Sequence, residues 1–497
     1  MKSQSGRFSA TACADGDSAM ATNDPEVAAK LPASPKLRGC NTRIENLAGF
    51  EARGIARRPA SRHQRYSANI SLNNLAAAML GPLAFQLGFL DCVMCAVFGT
   101  LVGSVTTAYM SIWGPQSGNR TMVGMRFFMG YWPSKILCFL NIILMSGYAT
   151  LDGIIGGQVL SAVSDGKMTV IVGIIIVSLV CWVVAVFLEW PFSTNTNGKY
   201  SWLPQTIALF VLIGCAGPYF DAKAPSRNTG ALLAAQRLSF FNICLYIPNS
   251  WAGAASDFYV YYPETTSKRK IFLLTLTGLW VSFTFVYLVA IGLATGVAYN
   301  PAWAAANDIS SGALIVAGYE PLRGFGRFCA VIVSLGVIAN SIPSTYSAAL
   351  GVQVLGRYPK AVPRYVWSTV LVLVELVLAV AGREHLLMIF QNFLALMGYW
   401  AMIMFFIVVL EHTMFRGRQG FDWTRWEDKD YQPLGLAALA AFLIGWAGAV
   451  LGMAQAWYTG PLASLASGGD VGLWIACGLT LVCFPPLRAL EMKVFGR

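Results

Sequence analysis

A chain of 497 residues with 56% hydrophobic and only 12% charged residues has too little polar surface to be a soluble body of its size; a soluble domain usually carries about a quarter charged residues. A soluble enzyme or binding module is therefore excluded. The formal charge of +11 reads as loop charge that orients membrane spans rather than as a nucleic-acid footprint. The apolar runs are about 20 residues long, the length of a bilayer-crossing helix and not of an alternating barrel strand.

Residues 1–65 are polar, rich in Ser, Ala and Arg, and carry no apolar period. The first twenty lack the apolar core of a secretory signal. This composition predicts a disordered cytoplasmic tail. From residue 66 to 497 the sequence predicts an all-α integral membrane domain of twelve spans. They lie near 68–90, 92–113, 133–163, 168–190, 200–217, 238–262, 270–298, 326–355, 363–382, 386–411, 434–457 and 471–491. With the N-terminus inside, twenty-two flanking Lys and Arg fall on the inner side and seven on the outer. That asymmetry is what the positive-inside rule requires, and it puts both termini in the cytoplasm.

Spans one to five (about 68–217) and six to ten (about 238–411) form two halves, with spans eleven and twelve (about 434–491) peripheral. Span one carries Gly81-Pro82 within an apolar run. Span six carries YIPNSWAGAASDFYVYYP, Tyr246 to Pro263, with a proline, the small pair Gly253-Ala254, Trp251 and Asp257. Lipid cannot satisfy a broken backbone, so such a helix should line a protein-enclosed cavity. Interrupted helices at matching positions of two halves point to a secondary transporter built on inverted repeats. Gly81, Pro82, Gly253 and Pro343 are the predicted break or gating positions.

Acids at membrane depth are costly and face the protein interior. Tyr148 and Asp152 are four apart in span three and share a helix face. Asp152 suits either a contact to a polar substrate or a proton-carrying role, and an interhelical hydrogen bond is the plainer alternative. Trp251 beside the break offers a flat ring for stacking on a planar heterocycle. Asp257 suits a cation, a gate or a loop ion pair equally. Around Pro343, Asn340, Ser341, Ser344, Thr345 and Ser347 supply amide and hydroxyl groups. These can bond carbonyls freed by the proline, hold a cation, or read the edge of a base. Glu375 in span nine reads only as an interhelical partner.

The eleven cysteines show no paired spacing, and His63, His385 and His412 are scattered. No metal site, disulfide framework or cofactor is expected. There is no phosphate loop, HExxH or GxSxG, so the sequence predicts neither an enzyme nor an ATP-driven pump.

Six long stretches, in order, carry a family resemblance. They are SANISLNNLAAAMLGPLAFQLGF (67–89), RFFMGYWPSKILCFLNII (126–143), SWAGAASDFYVYYPETTSKRKIF (250–272), GRFCAVIVSLGVIANSIPSTYSAALGVQVLGR (326–357), AALAAFLIGWAGAVLGMAQAWYTGPL (437–462) and the end from Gly469. The chain resembles the fungal purine–cytosine permeases of the nucleobase:cation symporter-1 family from about residue 50 onward. The resemblance implies a plasma-membrane symporter with a five-plus-five, leucine-transporter-like fold. It would be coupled to protons rather than sodium and carry cytosine, adenine, guanine or hypoxanthine; some relatives carry vitamin B6. The family's substrate tryptophan matches Trp251, and its span-eight Asn-Asn-x-x-Pro-like element matches Asn340, Ser341 and Pro343 with the second Asn replaced. In span three, Tyr148 and Asp152 stand where the purine carriers have Trp and Asn. The family's Glu before Ser-Trp-x-Pro is missing from TNTNGKYSWLP (194–204), within a region that diverges from about residue 189.

The expectation is a proton-coupled importer whose substrate contacts Trp251, Tyr148, Asp152, Asn340 and Ser341, with Asp152 and Asp257 as coupling residues. A vitamin B6 importer and a non-transporting sensor with the same fold are the alternatives.

Overall fold

The computed structural model describes residues 72–188, 202–417 and 420–497, together with Ile55 and Arg57. The amino-terminal tail, the start of span one and the divergent segment 189–199 lie outside the described residues. Twelve apolar helices follow in chain order: α1 (Leu72–Leu83), α2 (Phe89–Ser111), α3 (Pro133–Val163), α4 (Val170–Val183), α5 (Trp202–Ala216), α6 (Gly230–Ser250), α7 (Lys268–Gly296), α8 (Arg323–Val354), α9 (Arg364–Gly382), α10 (Leu386–Leu410), α11 (Leu436–Gly452) and α12 (Gly472–Phe495). Eight are long and apolar enough to cross a bilayer, and α1, α4, α5 and α11 are shorter. Of the short ones, α1 and α5 begin next to undescribed residues, and α4 runs on through a π-helical turn to Leu188, the last residue described there.

Which helices pack together divides the membrane domain. α2 lies along α6 and α7, and α7 along α1. α3 lies along α8, α4 and α9, and α9 closes against α8 and α4. α11 pairs with α12, which leans on α10. α3 is the enclosed centre: 72% of its apolar window is buried, against 28% for α9 and 33% for α12. The exposed side chains of α4 (Ile171, Ile175, Ile176, Leu179) are aliphatic, as a lipid-facing stripe should be.

α6 runs regularly to Ser250 although Pro248 lies inside it. It then tightens to a 3-10 turn over Trp251–Gly253 and bends at Ala254 (φ −120°, ψ 1°), before a last helical turn Ala255–Tyr259. The carbonyls that a helix end leaves unbonded need other donors. α2 supplies one: Thr107 Oγ1 donates to the Pro248 carbonyl (2.6 Å), while Thr106 Oγ1 holds the Asn249 side chain through Oδ1 (2.7 Å). α2 comes this close because position 103 is glycine; a Cβ there would stand 2.2 Å from the Leu245 carbonyl oxygen.

Three expectations change. Gly81-Pro82 is not a mid-span break: α1 stays helical through Pro82, ends at Leu83, and turns at once into α2. A hydropathy run cannot tell a proline near a helix end from one at its centre, because a tight turn leaves the run unbroken. Pro343 likewise lies within one continuous 32-residue helix. Span eleven stops at Gly452, where the chain leaves the helix for a two-residue antiparallel ladder, Ala454–Gln455 with Tyr458–Thr459.

Candidate functional site

Asp152 lies on α3 and is wholly buried. From α8, Asn340 donates through Nδ2 to Asp152 Oδ2 (2.8 Å) and Ser341 through Oγ to the same oxygen (3.1 Å). Three residues predicted from separate segments therefore form one cluster. Consecutive residues 340 and 341 both reach the acid because α8 runs alongside α3, presenting two adjacent positions to one side chain.

Tyr148, one turn before Asp152 on the same face, is buried. The Ser250 hydroxyl at the end of α6 lies beside its phenol. Its ring meets Phe393 of α10 edge-on, with centroids 5.9 Å apart at 83°. Phe393 fits there because position 147 is glycine: a Cβ would stand 2.1 Å from the Phe393 ring. Trp251 is half-buried at the α6 break and tilts against Phe258, centroids 6.1 Å apart. Gly253 closes the break against Asn141 of α3, whose Oδ1 would stand 2.2 Å from a Cβ. Both polar atoms of the buried Asn141 side chain lack a hydrogen-bond partner among the described residues. The cluster thus joins α3, α8 and α10 to the break in α6. The residues so joined offer amide, hydroxyl and carboxylate groups together with aromatic rings, the side-chain types that can read the polar edge of a flat molecule and stack on its face.

Asp257 does not join this cluster. Its Oδ1 accepts from the Thr121 N–H (2.7 Å) and its Oδ2 from Ser347 Oγ (2.8 Å). Arg120, 3% exposed, donates to the Asp257 carbonyl (2.6 Å) and to the Tyr346 hydroxyl (2.6 Å). Ser347 lies seven residues, about 10 Å along the helix axis, from Asn340. The Asp257 carboxylate takes its donors from the α2–α3 connection and from α8, and Arg120 of that connection lies beside it, at the end of the interrupted helix.

Sequence reasoning missed Asn141, Phe393 and the part played by Glu375. A single Asn or Phe in an apolar helix carries no positional signal. Glu375 was visible as an acid at depth, but its neighbours were not. It is 5% exposed on α9 and accepts from Thr345 Oγ1 of α8 (3.3 Å). No group of three or more metal-ligating side chains occurs among the described residues.

A family model described as permease for cytosine/purines, uracil, thiamine, allantoin matches residues 66–476. A purine-cytosine permease of Emericella nidulans, fcyB, is 33% identical over 474 residues, covering 92% of each chain. The vitamin B6 transporter TPN1 of Saccharomyces cerevisiae is 31% identical over 487 residues, covering 87% of this chain and 83% of its own. Among solved structures, Mhp1, a nucleobase-cation-symport-1 family transporter in a closed conformation with bromovinylhydantoin bound, superposes with a TM-score of 0.62. It does so at 14% identity, over 90% of this chain and 96% of that one. The inward-facing conformation of Mhp1 gives 0.59. At that identity the likeness speaks for the fold alone.

Proposed function

Because the chain belongs to the permease family for cytosine/purines, uracil, thiamine and allantoin, we propose that it imports a nucleobase (cytosine, adenine, guanine or hypoxanthine) across the plasma membrane together with a proton, with both termini in the cytoplasm. The observation that carries the reading is the Asp152–Asn340–Ser341 cluster, with Tyr148 one turn away beside Ser250 at the end of α6. A base would stack near Trp251 and Tyr148 and present its N–H edge to Asp152, a strong acceptor. Asn340 would read the neighbouring edge with Oδ1, which has no partner among the described residues. The helix bundle α1, α2, α6 and α7 would then rock against α3, α4, α8 and α9, exposing the site to each side in turn. Release of the Asp257 latch would open the cytoplasmic path.

Vitamin B6 is the second reading, favoured by one observation. The resemblance puts an amide in the purine carriers where this chain has Asp152, and a carboxylate suits hydroxyl donors such as those of pyridoxine. Uptake of labelled cytosine, adenine, hypoxanthine and pyridoxine, in yeast lacking its own permeases, at pH 5 and pH 7, tests both. Saturable uptake of one ligand, stronger at pH 5, supports proton symport and names the substrate. Trp251→Ala and Asp152→Ala should each reduce it at least tenfold; unchanged kinetics in both would sink the site assignment.

A further inference from the structure

Glu375 is a second acid at membrane depth, and its surroundings are unlike those of the buried carboxylates Glu411 and Asp257. Glu411 is paired with Arg488 (2.9 Å). Asp257 has Arg120 beside it. The groups acting on Glu375 include no Lys, Arg or His: they are the Thr345 hydroxyl of α8, the Ser146 hydroxyl of α3, and Asp152 of α3. Cys181 of α4 faces both acids. α3, α4 and α8 are the described spans that pack most along α9, and no cation of theirs is among the groups that act on Glu375.

The two acids are linked through one face of α8. Ser341 donates to Asp152 and Thr345, four residues on, donates to Glu375; positions four apart lie one above the other. The network is also incomplete. Asn340 Oδ1 belongs to a residue more than nine-tenths buried and has no hydrogen-bond partner among the described residues, and the Ser146 hydroxyl lies beside Glu375 without closing a well-formed bond to Oε1. Unused donors and acceptors around a carboxyl at depth are what a mobile proton requires. A carboxyl that has hydroxyls as partners and a second acid close by, away from water, is placed to take up and release a proton.

We propose that Glu375 carries the coupling proton of transport, shared with Asp152 across the hydroxyl face of α8. The step forms one O–H bond at a carboxyl oxygen on loading and breaks it on release, with no other covalent change. Loading neutralises the pair, which lets the bundle close over it; release on the other side restores the charge and favours reopening. This assignment rests on the transporter reading above.

The test uses the full chain in three forms: wild type, Glu375→Gln and Glu375→Asp. Concentrative uptake in cells at pH 5 and pH 7 is compared with exchange across vesicles preloaded with the same base. Glu375→Gln, fixed in the neutral shape, should lose at least tenfold in concentrative uptake and all its pH dependence, while exchange stays within about twofold of wild type. Glu375→Asp should keep pH-dependent uptake. Wild-type behaviour of Glu375→Gln, loss of exchange along with uptake, or dependence of uptake on sodium instead of pH would each overturn the proposal. Infrared difference spectra of the purified protein between pH 5 and pH 8 read the acid directly. A protonated-carboxyl band present in wild type and lost in Glu375→Gln is expected, and its absence in wild type overturns the assignment. Because that readout needs no substrate, failure of wild type to transport any base would sink the transporter reading alone.

Discussion

Ser347 of α8 donates to Asp257 Oδ2 at 2.8 Å, tying a span of one packing group to the end of the interrupted helix in the other. Thr121 and Arg120 complete the knot. Removing Asp257 leaves the buried Arg120 guanidinium without the neighbouring charge and orphans two donors. Such losses cost about 3–5 kcal/mol. Asp257→Ala should therefore lower the thermal midpoint of the purified protein well beyond Ser347→Ala, whose lost bond is worth about 1 kcal/mol. It should also speed thiol labelling of Cys138, which is wholly buried and bonded to the Gly351 carbonyl. Unchanged labelling by mass spectrometry would show that the knot is not a gate.

The break in α6 tolerates no side chain at Gly253, because a Cβ would stand 2.2 Å from Asn141 Oδ1. Gly253→Ala should reduce uptake at least tenfold while the protein still reaches the cell surface. Adding Asn141→Ala, which vacates the space, should restore part of it. Failure of the second change to rescue any uptake would place the fault in backbone geometry rather than in this contact.

Arg488 of α12 holds Glu411, just past α10, with two parallel bonds (Nε to Oε2 at 2.9 Å, Nη2 to Oε1 at 3.0 Å). Both side chains are buried, at 2% and 0% exposure. Breaking a buried pair from one side costs about 3–5 kcal/mol, whereas replacing both partners by apolar groups is often near neutral. Arg488→Met should destabilise strongly and Arg488→Met with Glu411→Leu much less. Additive losses in detergent unfolding would mean that the pair acts as two separate contacts.

Asp470, in the connection between α11 and α12, accepts from Tyr399 of α10 (2.6 Å) and from the Gly472 N–H (3.0 Å). Burial raises its carboxyl to about 6. A carboxyl raised above its unfolded value of about 4 favours folding most when protonated. Its contribution is full below pH 4, falls as pH rises from 4 to 6, and is level above that. The span is about 3 kcal/mol, two units at about 1.4 kcal/mol each. The unfolding midpoint should decline between pH 4 and pH 6 in wild type and less so in Asp470→Asn. Equal slopes would assign the dependence to other groups.

How far the chain could be read without its fold depended on the range of each signal. Hydropathy and charge act over one span or one loop, so the twelve apolar segments and the break at Trp251–Ala254 stand in the linear text. So does the spacing that sets Tyr148 and Asp152 on one helix face, since four residues make about one turn. Gly81-Pro82 was misplaced for the complementary reason: a proline in an apolar run looks the same at a helix end as at its middle, and only the turn after Leu83 distinguishes them. What tertiary structure alone decided is which faces meet. α8 lies against both α3 and α9, so Asn340 and Ser341 close on Asp152 while Thr345 closes on Glu375. Asp257 finds Thr121 and Ser347, 136 and 90 residues away in the chain. Partners that distant leave no trace in local composition, because a side chain's interaction energy depends on separation in space.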